Sequence, residues 1–139
     1  MKISAQVQSS EGRHHVTLCT NDHVHSLAIQ AKPDGLGSSV NGGELLFLAL
    51  ATCYCNDLYR EAAKRGMPVE SVEVEVTGDF SGEGSPASNL SYRVKVAAKA
   101  KPDEIDALIR HTDRVAEIQN TLRRGTMVKL DRAEAVCLA

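Results

Sequence analysis

Residues 41–66 (NGGELLFLALATCYCNDLYREAAKRG) constrain the fold most, because they combine a helix start, a long apolar run and a helix end. Asn41 can cap the first turn, and Glu44, three residues later, can return a hydrogen bond to the backbone of Asn41. Gly66 suits the left-handed position that follows a helix, and Pro68 prevents the helix from resuming. The segment therefore predicts one long helix.

The two halves of this helix differ in hydrophobic pattern. Residues 45–55 are apolar on nearly every side, which is typical of a helix that is buried all round. Residues 56–65 are amphipathic at helical spacing, which is typical of a helix at a surface. We therefore expect the first half to lie inside the protein and the second half to emerge. Cys53 is then expected to have mostly apolar surroundings.

The length and charge of the chain limit the classes of protein to which it can belong. A chain of 139 residues suits one domain, over residues 1–139, and can bury a core without disulfides. The formal net charge of −2 and the pI of about 6.2 predict no nucleic-acid and no membrane partner. The longest apolar run is too short to cross a bilayer. The first residues lack an apolar signal core, so we expect a cytoplasmic protein with reduced cysteines.

Three alternating segments at the start of the chain predict an antiparallel meander. They cover residues 2–8, 14–20 and 24–31, and short turn sequences separate them. We expect the apolar face of this meander to point inward. That face is formed by Ile3, Ala5, Val7, Val16, Leu18, Leu27 and Ile29.

Two further strands follow the central helix. Residues 69–80 (VESVEVEVTGDF) and 89–100 (NLSYRVKVAAKA) alternate apolar and polar side chains, and a loop of turn residues separates them. The pattern predicts a hairpin with one apolar face. Its other face can bring acidic side chains of the first strand opposite basic side chains of the second, namely Glu73, Glu75, Arg93 and Lys95.

The last third of the chain predicts two helices and a strand. Pro102 and the acidic residues after it indicate a helix start, and a short separate helix ends at Gly125. Residues 126–138 are predicted to form a closing strand. The element order β-β-β-α-β-β-α-α-β belongs to the α+β class.

Cys53 is the leading candidate for chemistry, because it lies in the central helix of a chain with four cysteines and no CxxC motif. Burial raises the pKa of a thiol, so a reactive Cys53 needs a cation from elsewhere in the fold. The residues that can supply one are Arg13, Arg60, Arg123 and Arg124. The alternative is that Cys53 is a small core residue, which is the usual place of a free cysteine.

The residues themselves predict no metal and no cofactor. His23 and His25 share one face of a strand, but a zinc site needs a third ligand that the sequence does not bring to them. The glycines at positions 35, 37, 42 and 43 do not form a phosphate-binding loop. We therefore assign the histidines to an ordinary polar strand end.

Several motifs together resemble the OsmC/Ohr family of organic hydroperoxide-reducing proteins. They are the helix start NGGELLFLALATC, the strand VESVEVEVTGDF and the later segment NTLRRGTMVKL. The resemblance covers essentially the whole chain in the right element order. It implies an OsmC-like fold in which antiparallel sheets wrap around the long central helix. It also implies an intertwined homodimer with active sites at the subunit interface.

The resemblance also assigns roles to two residues. The peroxidatic cysteine of the family stands twelve residues after the Asn or Ser that starts the helix, and counting from Asn41 gives Cys53. An arginine in a Gly-Arg step of the first hairpin activates that thiolate, and Arg13 occupies the similar position here. This arginine would supply the cation that Cys53 needs.

Two departures from the family pattern affect the expected chemistry. The resolving cysteine of the family is replaced by Ala116, and Cys55, Cys19 or Cys137 are the possible substitutes. The glutamate that often orients the arginine is also missing, because serines stand at positions 38 and 39. The usual cycle through an intramolecular disulfide therefore lacks its second thiol at the usual place.

These features lead to three interpretations, of which the first is the expected function. The first is a peroxiredoxin-like defence against oxidative stress: Cys53 reduces organic hydroperoxides, Arg13 stabilises its thiolate, and an external thiol is the reductant. The alternative is a non-catalytic dimer that binds a small apolar or acyl ligand, or that senses redox state through Cys53. A dimeric scaffold with a vestigial pocket is a third interpretation.

Overall fold

The computed structural model describes residues 1–138 and has an α+β fold with antiparallel sheets and three helices. The elements are β1 (Ile3–Ser10), β2 (Arg13–Thr20), β3 (His23–Leu27), α1 (Gly42–Lys64), β4 (Val69–Phe80), β5 (Ala87–Ala98), α2 (Pro102–Val115) and α3 (Glu117–Arg123). The chain forms two compact units, Met1–Leu48 and the residues from Ala49 onward. The single domain over residues 1–139 stays a prediction.

The first unit contains the predicted meander, with strand order β1-β2-β3. Its register pairs Val7 with Val16 and Val16 with Leu27, so the predicted apolar residues share one face. The expectation that this face is buried is wrong for most of it. Val16 is buried, but Ile3, Val7 and Leu27 are largely exposed, because nothing in the described chain covers them.

The second unit contains the predicted hairpin of β4 and β5, which packs on the helices. Its register places Glu73 opposite Lys95 and Glu75 opposite Arg93, as the charge pattern predicted. The core has Tyr54, Leu58, Ala62 and Leu108 at its centre, and alternate residues of both strands pack against it. The alternation of apolar residues at every second position explains why one face of the hairpin enters this core.

The long helix α1 has the predicted ends. The backbone N–H of Glu44 donates to Asn41 Oδ1 at 2.8 Å, and that of Asn41 donates to Glu44 Oε1 at 3.0 Å. Gly66 follows the helix with a φ of +62°, a conformation that suits glycine. This reciprocal capping satisfies two backbone donors that no turn of the helix can satisfy.

The expected burial of α1 is wrong in the described chain. The buried residues are Leu50, Tyr54, Asp57, Leu58, Glu61 and Ala62, so burial is concentrated in the second half. Leu48, in the apolar first half, is 57% exposed. The second half is buried because the hairpin and α2 pack against it.

The predicted closing strand is also wrong, because residues 126–138 form neither helix nor strand. A strand requires a hydrogen-bonded neighbour, and no strand among the described residues pairs with this segment. Its apolar side chains are highly exposed, namely Met127, Val128, Leu130, Val136 and Leu138. Among residues 1–138, none of the helices is both long enough and apolar enough to cross a membrane.

Candidate functional site

Cys53 lies in α1 with its thiol partly buried between two carboxylates. Cys53 Sγ is 3.5 Å from Asp57 Oδ2, one turn further along the same helix. It is 3.7 Å from Glu117 Oε2, at the start of α3. The expected apolar surroundings are therefore wrong on this side of the thiol, which borders charged groups.

Arg60 holds the two carboxylates together. Its Nη1 atom is 2.7 Å from Asp57 Oδ1 and 3.5 Å from Glu117 Oε1. Each carboxylate thus directs one oxygen toward the guanidinium and the other toward Cys53 Sγ. The position of Arg60 follows from its spacing, because it lies three residues after Asp57 and one turn of helix brings the two side chains together.

A second group of charges adjoins this site on the same helix. Glu61 is buried, and its carboxylate contacts Arg60 Nε at 3.0 Å, Lys64 Nζ at 2.9 Å and His111 Nε2 at 3.1 Å. These contacts with Lys64, Arg60 and His111 lower the pKa of Glu61 to about 2. Glu61 is therefore a carboxylate at neutral pH, and it links α1 to α2 through His111.

The electrostatics of the site oppose ionisation of Cys53 within the described surroundings. Burial raises the pKa of the Cys53 thiol, and the backbone N–H of Ile118 acts in the other direction. The charge and the hydrogen bond of Asp57 and the charge of Glu117 add to the rise. Burial also raises the pKa of Asp57, and the adjacent Glu117 raises it further. The pKa of Glu117 is lowered, chiefly by a hydrogen bond from Asp57.

The pKa values of Asp57 and Glu117 shift in opposite directions, as expected for two carboxyl groups that contact each other. Two carboxylates this close repel each other, so ionisation of one disfavours ionisation of the other. Asp57 is the buried partner, and its pKa is the one that is raised. Glu117 is the exposed partner and keeps its negative charge.

The position of the missing resolving cysteine lies next to this site. Ala116 is fully buried between α2 and α3, and the following residue, Glu117, contacts Cys53. The other thiols are free, and Cys55 lines a separate surface depression with Val74 of β4. Cys53 and Cys55 thus lie on different faces of α1, as their spacing predicted.

The candidate cations have different positions. Arg13 begins β2 in the first unit, while Cys53 lies in the second, and their pairing stays a prediction. Arg60 contacts the carboxylates beside Cys53. Arg123 forms an ion pair with Asp113 at 2.6 Å, which occupies its guanidinium. Of these three, only Arg60 takes part in the cluster around Cys53.

The same atoms are the one group in residues 1–138 that has a metal-ligating composition and spacing. Cys53 Sγ and one oxygen each of Asp57 and Glu117 lie within 4.8 Å of one another. Arg60 already compensates the charge of both carboxylates, so a cation is in place without a metal. His23 and His25 pair with Thr20 and Leu18 across the strands, and no third ligand joins them in this part of the chain.

Sequence reasoning missed Asp57 and Glu117. The spacing of Cys53 and Asp57 was a usable signal, because residues four apart share one face of a helix. Glu117 carried a weaker signal: it directly follows the position at which the resolving cysteine is missing. Its approach to Cys53 depends on how α3 packs on α1, and one sequence does not show that.

Comparison with known proteins shows which family and which solved structures the chain resembles. The model of the family described as OsmC-like protein matches residues 35–131. A search of curated proteins found no match. The fold is similar to several solved structures at low sequence identity, which establishes likeness of fold alone.

Three of these structures illustrate the range of TM-score and sequence identity. An OsmC-like protein from Mycoplasma pneumoniae has a TM-score of 0.61 and 15% identity, covering 88% of this chain and 86% of that one. An organic hydroperoxide resistance protein OsmC from Legionella pneumophila has a TM-score of 0.58 and 19% identity, covering 88% and 90%. The organic hydroperoxide resistance protein OhrB of Bacillus subtilis has a TM-score of 0.54 and 12% identity, covering 90% and 93%.

Proposed function

The chain belongs to the OsmC-like protein family, and from this premise we propose that it reduces organic hydroperoxides with a single peroxidatic cysteine, Cys53. The observation that carries the proposal is the position of the Cys53 thiol: it is partly exposed and borders ionisable groups. A cysteine that serves only as core filling has apolar neighbours. The organic hydroperoxide resistance proteins of Legionella pneumophila and Bacillus subtilis have a similar fold, which adds support.

The proposed reaction uses a two-electron oxidation of sulfur. The Cys53 thiolate attacks the terminal oxygen of the hydroperoxide, the O–O bond breaks, and an alcohol and a Cys53 sulfenic acid are formed. One external thiol then forms a mixed disulfide with Cys53 and releases water. A second external thiol releases Cys53 as a thiol. Because Ala116 replaces the resolving cysteine, the external thiol takes over that step, and the cytoplasm is the compartment that supplies it.

Arg13 is proposed as the cation that activates Cys53. The support is chemical, because burial and the two neighbouring carboxylates raise the pKa of the thiol. A guanidinium beside the sulfur opposes that rise, since an opposite charge favours the thiolate. Arg60 is less suited to this role because both carboxylates already bind it.

A homodimer is part of the proposal. The exposed apolar face of the first sheet, with Ile3, Val7 and Leu27, supports it. The exposed Leu48 of α1 and the exposed apolar residues of the C-terminal segment 126–138 support it as well. Exposed apolar surface on a folded chain is usually covered by another protein surface, and a second copy of the chain would cover it.

One observation favours the alternative function. The groups described around Cys53 raise the pKa of its thiol, which is the condition of an unreactive cysteine. In this alternative the dimer binds a small apolar or acyl ligand without catalysis, or Cys53 senses oxidation. A cavity of about 110 Å³ in the second unit offers an apolar place for such a ligand, lined in part by Leu50, Leu90 and Leu122.

The test is peroxide consumption by the purified protein. Cumene hydroperoxide and dithiothreitol are supplied, and the parent protein is compared with Cys53→Ser and with the matched control Cys55→Ser. Turnover that disappears only in Cys53→Ser supports the proposed peroxidase. Absence of turnover together with an unoxidised Cys53 removes the peroxidase and leaves the ligand-binding alternative.

A further inference from the structure

We propose that Asp57 and Glu117 form a proton relay for Cys53: the pair accepts the thiol proton and returns it to the alkoxide that leaves when the peroxide bond breaks. This inference rests on the proposed peroxidase and adds two catalytic residues to it. It concerns two carboxylates that contact the reacting sulfur and to which the family resemblance assigned no role.

The geometry of the pair suits proton transfer at Cys53. Asp57 Oδ2 is 3.5 Å and Glu117 Oε2 is 3.7 Å from Sγ, so the thiol can donate to either carboxylate. The other oxygen of each carboxylate faces Arg60. Arg60 therefore fixes the orientation of the pair and leaves the inner oxygens directed at sulfur.

The two carboxyl groups differ in exposure to solvent, and this difference sets the direction of proton transfer. The side chain of Asp57 is 7% exposed, whereas that of Glu117 is 65% exposed. A proton on the buried Asp57 can pass to the exposed Glu117, which can deliver it to the alkoxide. Burial also raises the pKa of Asp57, which lets this carboxyl hold a proton nearer to neutral pH.

Charged groups from two elements, α1 and α3, surround the Cys53 sulfur. On α1 they are Asp57 and Arg60, and Glu61 lies beyond them with its own partners. On α3 Glu117 contributes its carboxylate and Ile118 its backbone N–H. The carboxyl pair is therefore the one acceptor of the thiol proton among these groups.

The proton and electron balance is complete. Cys53 gives its proton to the pair and becomes a thiolate, which bonds to the terminal oxygen of the hydroperoxide. The O–O bond breaks, sulfur loses two electrons, and the departing oxygen leaves as an alkoxide. The pair protonates that alkoxide, so the products are a sulfenic acid and an alcohol, and both carboxyl groups return to their starting state.

The test compares two leaving groups in the protein with Cys53 as its one cysteine, after Cys19, Cys55 and Cys137 are changed to Ser. Glu117→Gln is introduced because its exposed side chain is not needed for the core. The control is Glu70→Gln, the same change at an exposed position of β4. Sulfenic acid formed in a single turnover is trapped with dimedone and measured by mass spectrometry.

Tert-butyl hydroperoxide leaves as an alkoxide that needs a proton, whereas peracetic acid leaves as acetate, which needs none. We expect Glu117→Gln to lower the rate with tert-butyl hydroperoxide by about tenfold or more relative to the rate with peracetic acid. The peracetic acid rate should follow the rate of Cys53 alkylation by iodoacetamide, because both depend on the amount of thiolate, which rises when a negative charge beside the thiol is removed.

Each result decides between interpretations. If Glu117→Gln accelerates both peroxides together with alkylation, Glu117 is only a charge that raises the thiol pKa, and the relay is overturned. If neither peroxide rate changes relative to Glu70→Gln, the relay is overturned as well. If Cys53 in the parent protein reacts with neither peroxide, the proposed peroxidase itself fails, and the relay fails with it.

Discussion

The Cys53 thiol donates a hydrogen bond to Asp57 Oδ2 at 3.5 Å, across one turn of α1. This contact places a carboxylate beside the sulfur that has to ionise before it can react. The negative charge disfavours the thiolate, although the same group can receive the thiol proton. The reactivity of Cys53 therefore depends on a balance between the carboxyl pair and the cation proposed for Arg13.

The first prediction concerns the charge at position 57. We expect Asp57→Asn to make alkylation of Cys53 by iodoacetamide about three- to tenfold faster near neutral pH, because the change lowers the thiol pKa. The pKa of Cys53 is read from alkylation rates across a pH series in the single-cysteine protein. Arg13→Gln should shift it in the opposite direction if Arg13 activates Cys53. An Asp57→Asn protein with an unchanged or raised Cys53 pKa contradicts the contact.

The second prediction concerns acid stability at Glu61. The folded pKa of Glu61 is about 2, below the ordinary value of 4.5, because Lys64, Arg60 and His111 favour its carboxylate. A carboxyl whose pKa is lowered on folding stabilises the protein above its unfolded pKa. That contribution is lost as the pH falls from 4.5 toward 2.

Urea unfolding of the parent and of Glu61→Gln checks this. The difference in free energy of unfolding between them should be largest near neutral pH and should shrink as the pH falls below 4.5. Glu83→Gln, in the exposed loop between β4 and β5, is the control and should follow the parent at every pH. A difference for Glu61→Gln that is constant with pH argues against the lowered pKa.

Local sequence patterns predicted the elements and their faces well. The spacing of Asn41 and Glu44 predicted the helix start, and reciprocal hydrogen bonds are found there. Alternation predicted the apolar faces of both sheets, because side chains on a strand point to opposite sides at every step. These features depend on residues close together in sequence, so a single sequence contains them.

Features that depend on a distant or second surface were not predictable. The sequence shows that residues 126–138 have apolar side chains, but a strand also needs a partner edge, which these residues do not find among the described strands. The burial of α1 was misjudged for the same reason, because a hydrophobic pattern identifies a surface that needs cover and does not identify the cover. Glu117 reaches Cys53 only through the packing of α3 on α1.

The third prediction tests the core of the second unit. Leu58 is fully buried among Tyr54, Ala62 and Leu108. Leu58→Ala removes buried apolar surface and leaves a cavity, so we expect it to lower the free energy of unfolding by about 2 to 5 kcal/mol. Leu36→Ala, at a leucine that is largely exposed, should change it by less than about 1 kcal/mol. Urea denaturation measures both, and an equal loss in the two variants contradicts this description of the core.

The fourth prediction tests the proposed homodimer through the first sheet. Val7 belongs to its exposed apolar face, and Gln6, the preceding residue of β1, points to the opposite face. If a second copy covers the apolar face, Val7→Glu buries an unpaired charge in the dimer, so the dissociation constant should rise by about tenfold or more. Gln6→Glu adds the same charge on the other face and should leave association unchanged. Sedimentation equilibrium over a range of protein concentrations measures both. A Val7→Glu protein that associates as strongly as Gln6→Glu would show that this face is not the one a second copy covers.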